Sequence, residues 1–239
     1  MNIEEYERLY RLEDRYWWFV ARRELAVDLV RSHVPPGSRI LDLGCGAGGT
    51  ARDLAAWGRV VACDVSDVAL GFARRRGLGD LALADAQALP FSSGSADCVV
   101  ALDVLEHVPD DRAALAEVVR VLRPGGRLVL TAPAFRALWS GHDVALHHRR
   151  RYTKGSLGDL VREASLAPIK LSYCVFFLFP FIAATRLAGR FLPGRSRVGL
   201  WWQRGLPNSA LLAMMRWENR LLRRIGFPWG VSVVVLAGK

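Results

Sequence analysis

Several things are scarce in this sequence, and each scarcity removes a class of protein. Only four of the 239 residues are cysteine (Cys45, Cys63, Cys98 and Cys174), and they are dispersed with no C-x-x-C pair. That excludes the ordinary structural zinc site and a disulfide framework, so the four read as reduced, mostly buried residues and no metal is expected. Long apolar runs are also missing. The charge-free stretch Leu171–Thr185 is 15 residues and is interrupted by Pro180, whereas a spanning helix needs roughly 20. The chain opens on Met-Asn-Ile-Glu-Glu-Tyr-Glu-Arg instead of an apolar leader, which reads as a cytoplasmic protein with no signal peptide. Acids are almost absent from 175–229: nine arginines stand against Glu218 alone, a local charge of +8 within a whole-chain charge of +10. The basic character is therefore local, and it lies in an aromatic, apolar segment.

What is present is a core. An apolar fraction of 51% over 239 residues suits one α/β domain with an elaboration and excludes a disordered chain. The organising stretch is Arg39-Ile-Leu-Asp-Leu-Gly-Cys-Gly-Ala-Gly-Gly-Thr50. A buried strand runs into a turn with glycine at 44, 46 and 48, and a helix begins near Thr50. A ligand can lie directly on such a backbone. The spacing Gly44-x-Gly46-x-x-Gly49 also satisfies the dinucleotide fingerprint, so the turn alone leaves the cofactor open.

Along the chain, 2–34 reads as helix, carrying the aromatic cluster Tyr16-Trp17-Trp18-Phe19 and ending at Pro35-Pro36-Gly37. This segment is either a lid or plain packing. Strands are expected at Arg59–Asp64, Leu81–Ala84, Asp97–Leu102 and Arg127–Thr131, with helices over Ala51–Trp57, Asp67–Arg76 and from Asp110 or Asp111 to Leu122. Alternation of strand and helix means a Rossmann-like, doubly wound parallel sheet, with ligands at the carboxyl ends of the strands. Asp42, Asp64, Asp85 and Asp103 each fall at such an end. Asp64 follows Asp42 by 22 positions, near the interval of about 20 at which an acid meets a ribose hydroxyl.

The combination Ile40-Leu-Asp-Leu-Gly-Cys-Gly-Ala-Gly48, Cys63-Asp-Val-Ser66, Asp85-Ala-Gln-Ala-Leu-Pro-Phe91, Asp103-Val-Leu-Glu-His107 and Leu122-Arg-Pro-Gly-Gly126 resembles the class I S-adenosylmethionine-dependent methyltransferases, in particular the bacterial small-molecule group called type 11. The resemblance covers about 36–173 and the final strand. It implies a seven-stranded sheet whose last strand, here Gly230–Ala237, is antiparallel. It also implies S-adenosyl-L-methionine as cofactor and S-adenosylhomocysteine as product. Gly44, Cys45 and Gly46 would support the methionine part, with Asp42 beneath it. Asp64, with Val65 beside it, would meet the ribose; Asp85 and Ala86 would meet the adenine; Leu102 and Asp103 would border the methionine. The core is then 35–174 with 230–239, preceded by a helical lid over 1–34 and interrupted by a helical insertion over 175–229.

Two regions remain to choose the acceptor. Residues 132–153 hold three histidines and three consecutive arginines, and resemble a subgroup pattern Trp-Ser, Asp, Gly-His-x-Arg-Arg-Tyr in which His147 stands where glycine is usual. His148 as a base and Arg151 as an anion partner are the catalytic candidates; the bland alternative is an ion-pair network around Asp143. Trp18, His107, Trp139, His147 and Tyr152 are candidates for substrate contact. The insertion 175–229, with Trp201, Trp202, Trp217 and Trp229 among its arginines, reads as a substrate cap, a dimer surface or a peripheral contact with an anionic membrane. The expected activity is methyl transfer to O, N or C of a small-molecule or lipid-linked acceptor. The charge keeps an RNA or DNA methyltransferase as an alternative, but the Asn/Asp-Pro-Pro-aromatic signature and the Pro-Cys nucleophile are missing. A cofactor-binding membrane scaffold without catalysis is the other alternative.

Overall fold

A computed structural model describes residues 3–191 and 207–239. Seven strands form one sheet: β1 Arg39–Leu43, β2 Arg59–Asp64, β3 Leu81–Leu83, β4 Ala96–Leu102, β5 Leu122–Pro133, β6 Ala167–Cys174 and β7 Ser232–Gly238. Their order is β3-β2-β1-β4-β5-β7-β6, with β7 antiparallel to both of its neighbours. The central strands are rich in β-branched and small apolar residues, and Val99, Val100, Leu128, Val129 and Leu130 are wholly buried. A sheet buried on both faces needs such continuous apolar strands. Helices cover it: α3 Gly49–Leu54 and α4 Asp67–Arg75 follow β1 and β2, while α5 Asp111–Val121 and α7 Lys154–Glu163 follow β4 and β5. The chain leaves β1 in one direction and returns at β4 in the other. That reversal opens a crevice at the carboxyl ends of β1, β2 and β4, where Asp42, Asp64 and Asp103 lie.

The expected elements are present, with three differences. The N-terminal region is two helices, α1 Ile3–Leu12 and α2 Trp17–His33, instead of one. The chain breaks because the acids at its corner turn inward. Glu13 pairs with Arg76 at 2.6 Å, Asp14 pairs with Arg52 at 3.0 Å, and the Arg23 guanidinium donates to the Glu13 carbonyl. Secondly, β5 begins at Leu122, five residues before the expected start. Ala96 pairs with Leu122, and a register shift then absorbs the Pro-Gly-Gly turn before Cys98 meets Arg127. Thirdly, the insertion is not separate from the N-terminus. Its helices α8 Phe179–Phe191 and α9 Asn208–Leu222 form a second small core with α2, through Trp17, Ala21, Ile182, Leu211 and Met215. The Asn219 amide donates to the Ala21 carbonyl at 2.8 Å, and Arg216 pairs with Glu24. Trp201, Trp202, Arg195, Arg197 and Arg204 lie outside the described residues.

The centre of the sheet carries the stability that positions the site. Leu130→Ala should cost about 2–5 kcal/mol, as removal of a fully buried leucine does, read as a lower urea midpoint with an unchanged slope.

Candidate functional site

The crevice is built around acids. At the end of β2 the Asp64 carboxylate accepts the Gly46 amide through one oxygen and the Ser66 amide through the other, each at 3.0 Å. The glycine turn and the start of α4 are thereby fastened to one side chain. Gly44, at φ +70°, has no room for a side chain: a Cβ there would stand 2.5 Å from a Val104 methyl. Four of the turn's amides are already used. Those of Gly44 and Cys45 donate to the Cys63 carbonyl at 2.8 and 2.9 Å, Gly46 to Asp64, and Gly48 to the Cys45 carbonyl. A pyrophosphate cradle requires such amides to point at the ligand. Here the crevice offers carboxylates instead, which suits a ligand bearing an ammonium, a sulfonium and hydroxyls.

Asp42 sharpens the point. It is 2% exposed, and its Oδ2 has no hydrogen-bond partner. Burial, reinforced by Glu13 and Asp64, pushes its pKa up to about 8. A buried acid with an unpartnered oxygen lacks a cation. The ammonium of S-adenosylmethionine fits that requirement, and the residues present are therefore compatible with this cofactor.

The other expected cofactor residues lie around the same crevice. Cys45 is buried, and Val65 is 71% exposed beside Asp64. Asp85 is exposed and accepts the Gln87 amide, while Ala86 is buried next to it. Leu102 is half-buried at the end of β4. Asp103 takes a positive φ of 55°, accepts the Thr131 hydroxyl at 2.7 Å and pairs with Arg22. Over the turn lies α1. Tyr6 is buried with its side chain bonded to Ser66, and Leu9 approaches Gly46 so closely that a Cβ there would be 3.1 Å away. The Glu13 carboxylate sits against Gly49 at the start of α3.

The loop after β5 contains α6, Gly141–Ala145, and is organised by Asp143. This carboxylate has no exposed surface. It accepts the Ser140 amide at 2.9 Å, His148 Nδ1 at 2.9 Å and Arg151 Nε at 2.7 Å. Burial opposes its charge, yet His148 and Arg151 hold it far below the usual carboxylate range. Arg151 also donates to the Ala134 carbonyl and is buried, so the structure assigns it to the loop's ion-pair network instead of to an exposed anion site. Tyr152 is likewise corrected: it is 6% exposed, and its hydroxyl is held by Asp111 at 2.7 Å, so it packs the core. His147 adopts φ +57°, the left-handed turn that glycine takes most readily, and is exposed. His107 and His148 do come together, with ring centroids 4.7 Å apart. Burial and the neighbouring His148 push the His107 pKa down to about 4. Trp139 is half-buried in the same loop, whereas Trp18 packs edge-on against Trp17 in the second core.

Residues 41–130 match the family model described as a methyltransferase domain. Over that stretch the chain carries a methyltransferase domain. It is 40% identical over 151 residues to an uncharacterized 37.1 kDa protein of a Streptomyces fradiae transposon, covering 60% of this chain and 44% of that protein. It is 43% identical over 120 residues to a demethylmenaquinone methyltransferase of Beutenbergia cavernae, covering 49% and 47%. The chain thus spans less than half the length of these curated relatives. Among solved structures, the [4+2]-cyclase SpnF superposes with a TM-score of 0.59 at 24% identity, over 89% of this chain and 80% of that one, and shows the shared fold.

Arg22, Glu13 and Glu106 were not singled out from the sequence as site residues. Their involvement arises from contacts across 81 positions for Arg22 to Asp103 and across the N-terminal corner for Glu13. Local spacing gives no signal for either.

The methyltransferase domain should show an unusual pH dependence without cofactor. An unfolded aspartate ionises near 4, while folded Asp42 holds its proton to about 8. Between those values the native state binds more protons, so stability falls as pH rises, by up to about 1.4 kcal/mol per pH unit for this group. Urea unfolding from pH 5 to 8 should show a shallower decline in Asp42→Asn than in the wild type.

Proposed function

We propose that the chain transfers the methyl group of S-adenosylmethionine to an oxygen, nitrogen or carbon of an apolar, lipid-like small molecule. The observation that carries the cofactor side is the buried Asp42, one of whose oxygens has no partner, beneath a turn in which the amides of Gly44, Cys45, Gly46 and Gly48 are spent within the protein. Asp42 is read as the partner of the cofactor's amino group, directly or through water. Asp64, beside Val65, accepts from the ribose hydroxyls with lone pairs not used by Gly46 and Ser66. Asp85 and the Ala86 amide read the adenine; Leu102 and Asp103 border the methionine. Gly44, Cys45 and Gly46 let the ligand approach the backbone closely. The cofactor when bound supplies the electrophilic methyl carbon. The chain's own work is then to position the acceptor, exclude water and take a proton where the acceptor has one to lose.

Because Tyr6 and Leu9 lie on the turn, α1 acts as a lid that withdraws to admit the cofactor and returns over it. His148, oriented through Nδ1 by Asp143, is the residue best placed to act as base. Arg151 positions that pair. Trp139, His107 and His147 line the approach to the acceptor.

The lipid-like acceptor is supported by the exposed apolar side chains of the insertion. Phe181, Trp217, Ile225 and Trp229 are each at least 46% exposed, and Arg220 and Arg224 are exposed near the last three. Apolar and aromatic side chains set among arginines suit the interface of an anionic membrane. Three other arginines of the segment serve the fold: Arg186 donates to the Leu138 carbonyl, Arg216 pairs with Glu24, and Arg223 approaches Asp28. No helix among the described residues is long and apolar enough to cross a membrane. The name of the Beutenbergia relative, which places its acceptor among menaquinone precursors, points the same way.

Incubation with methyl-labelled cofactor and either a membrane lipid extract or a soluble metabolite fraction separates the readings. Label should enter the lipid fraction; label confined to soluble metabolites contradicts a lipid-like acceptor. In parallel, Trp217→Ser should reduce co-sedimentation with anionic vesicles without changing the fold.

A further inference from the structure

Beside the acceptor loop three side chains converge in a way that cofactor binding does not explain. Glu106 lies in the turn after β4 with no exposed surface, and neither of its carboxylate oxygens has a hydrogen-bond partner. Arg22 and Arg151 face it electrostatically, but each is committed elsewhere, to Asp103 and to Asp143 with the Ala134 carbonyl. His107 and His148 adjoin it. One potential ligating atom from each of the three residues lies within 4.8 Å of the others.

The histidines are held as ligands usually are. Nδ1 of His148 is anchored on Asp143, and a ring nitrogen of His107 is engaged by the Leu146 carbonyl. Anchoring one ring nitrogen on an acceptor fixes the tautomer and leaves the other with a free lone pair. An alternative is a neutral, protonated Glu106. That state still leaves a buried O–H donor without a partner, at a cost of about 1–3 kcal/mol, while the residue's own amide is the one backbone donor facing the carboxyl group. A cation between the three groups removes the cost.

We propose that Glu106, His107 and His148 bind a divalent first-row transition metal. Two imidazoles and one carboxylate suit zinc, manganese, iron or cobalt in this oxidation state and leave coordination positions open. Metal–ligand bonds of about 2.1 Å place ligand atoms roughly 3–4 Å apart, so a small side-chain rotation closes the site from its present spacing. The role, which rests on the methyl-transfer reading, replaces the base assigned to His148: a ligated His148 has no free nitrogen, so the metal binds an acceptor oxygen and lowers its pKa, and the proton passes to solvent. Metal binding itself does not depend on that reading.

The test uses the full chain without an affinity tag, stripped with a chelator and titrated with Co²⁺ by visible absorption and with Mn²⁺ by calorimetry. One equivalent should bind per chain. Glu106→Gln, His107→Ala and His148→Ala should each weaken binding at least about tenfold, the lower end of what even a supporting residue contributes, while the neighbouring His142→Ala retains it. Circular dichroism checks that every variant is folded. A folded wild-type chain that binds neither ion, or binding that survives all three substitutions unchanged, overturns the proposal. Titration of the metal-free chain with S-adenosylmethionine keeps the readings apart, since loss of cofactor binding would count against methyl transfer and leave the metal result standing.

Discussion

The crevice depends on the Asp64 carboxylate. It holds the amides of Gly46 and Ser66 at once, so the turn after β1 and the helix after β2 cannot move independently. A charge-assisted hydrogen bond contributes about 1.5–3 kcal/mol, and two on one side chain make the crevice a fixed shape instead of a pair of loops. The amides of Gly44, Cys45 and Gly48 are likewise spent within the protein, and what faces a ligand is acidic. That single arrangement separates a sulfonium, ammonium and hydroxyl ligand from a pyrophosphate.

Asp143 plays the corresponding part in the loop after β5. Its buried carboxylate gathers Ser140, His148 and Arg151, which turns a loop rich in charge into an ordered wall. The third constraint is the N-terminal corner. Glu13 and Asp14 reach Arg76, Arg52 and Arg23, and so dock α1 over the glycine turn. Glu13 and Arg76 are both buried, and burial holds the Glu13 carboxyl above its ordinary pKa in spite of Arg76 and Arg23 beside it. The exposed pairs contribute little.

Much of this was legible in order along the chain. Alternating apolar strands and helices, the glycine turn and four strand-end acids are local patterns, and each appears where local chemistry puts it. The strand at Leu122–Gly126 was missed because Arg-Pro-Gly-Gly reads as turn, whereas the neighbouring Ala96 supplies a pairing edge. The break at Glu13 was missed because its cause, Arg76, is 63 positions away. Tyr152 looked like a site residue for the same reason: a polar group in a loop looks available until a distant partner, here Asp111, takes it. For Arg151 the partner Asp143 is only 8 positions away, and the ion-pair network around it was already the alternative reading of the sequence. Conversely Glu106 looked unexceptional in Asp103-Val-Leu-Glu-His107, and only its burial without a partner marks it.

The most direct test is calorimetric titration of the intact chain with S-adenosylmethionine, alongside NAD⁺ as the pyrophosphate-bearing competitor. Saturable binding of one S-adenosylmethionine per chain, weakened at least about tenfold by Asp64→Ala through loss of charge-assisted bonds, is the expected result. No heat with S-adenosylmethionine, or tighter binding of NAD⁺, would contradict the reading of the crevice as a sulfonium-cofactor site.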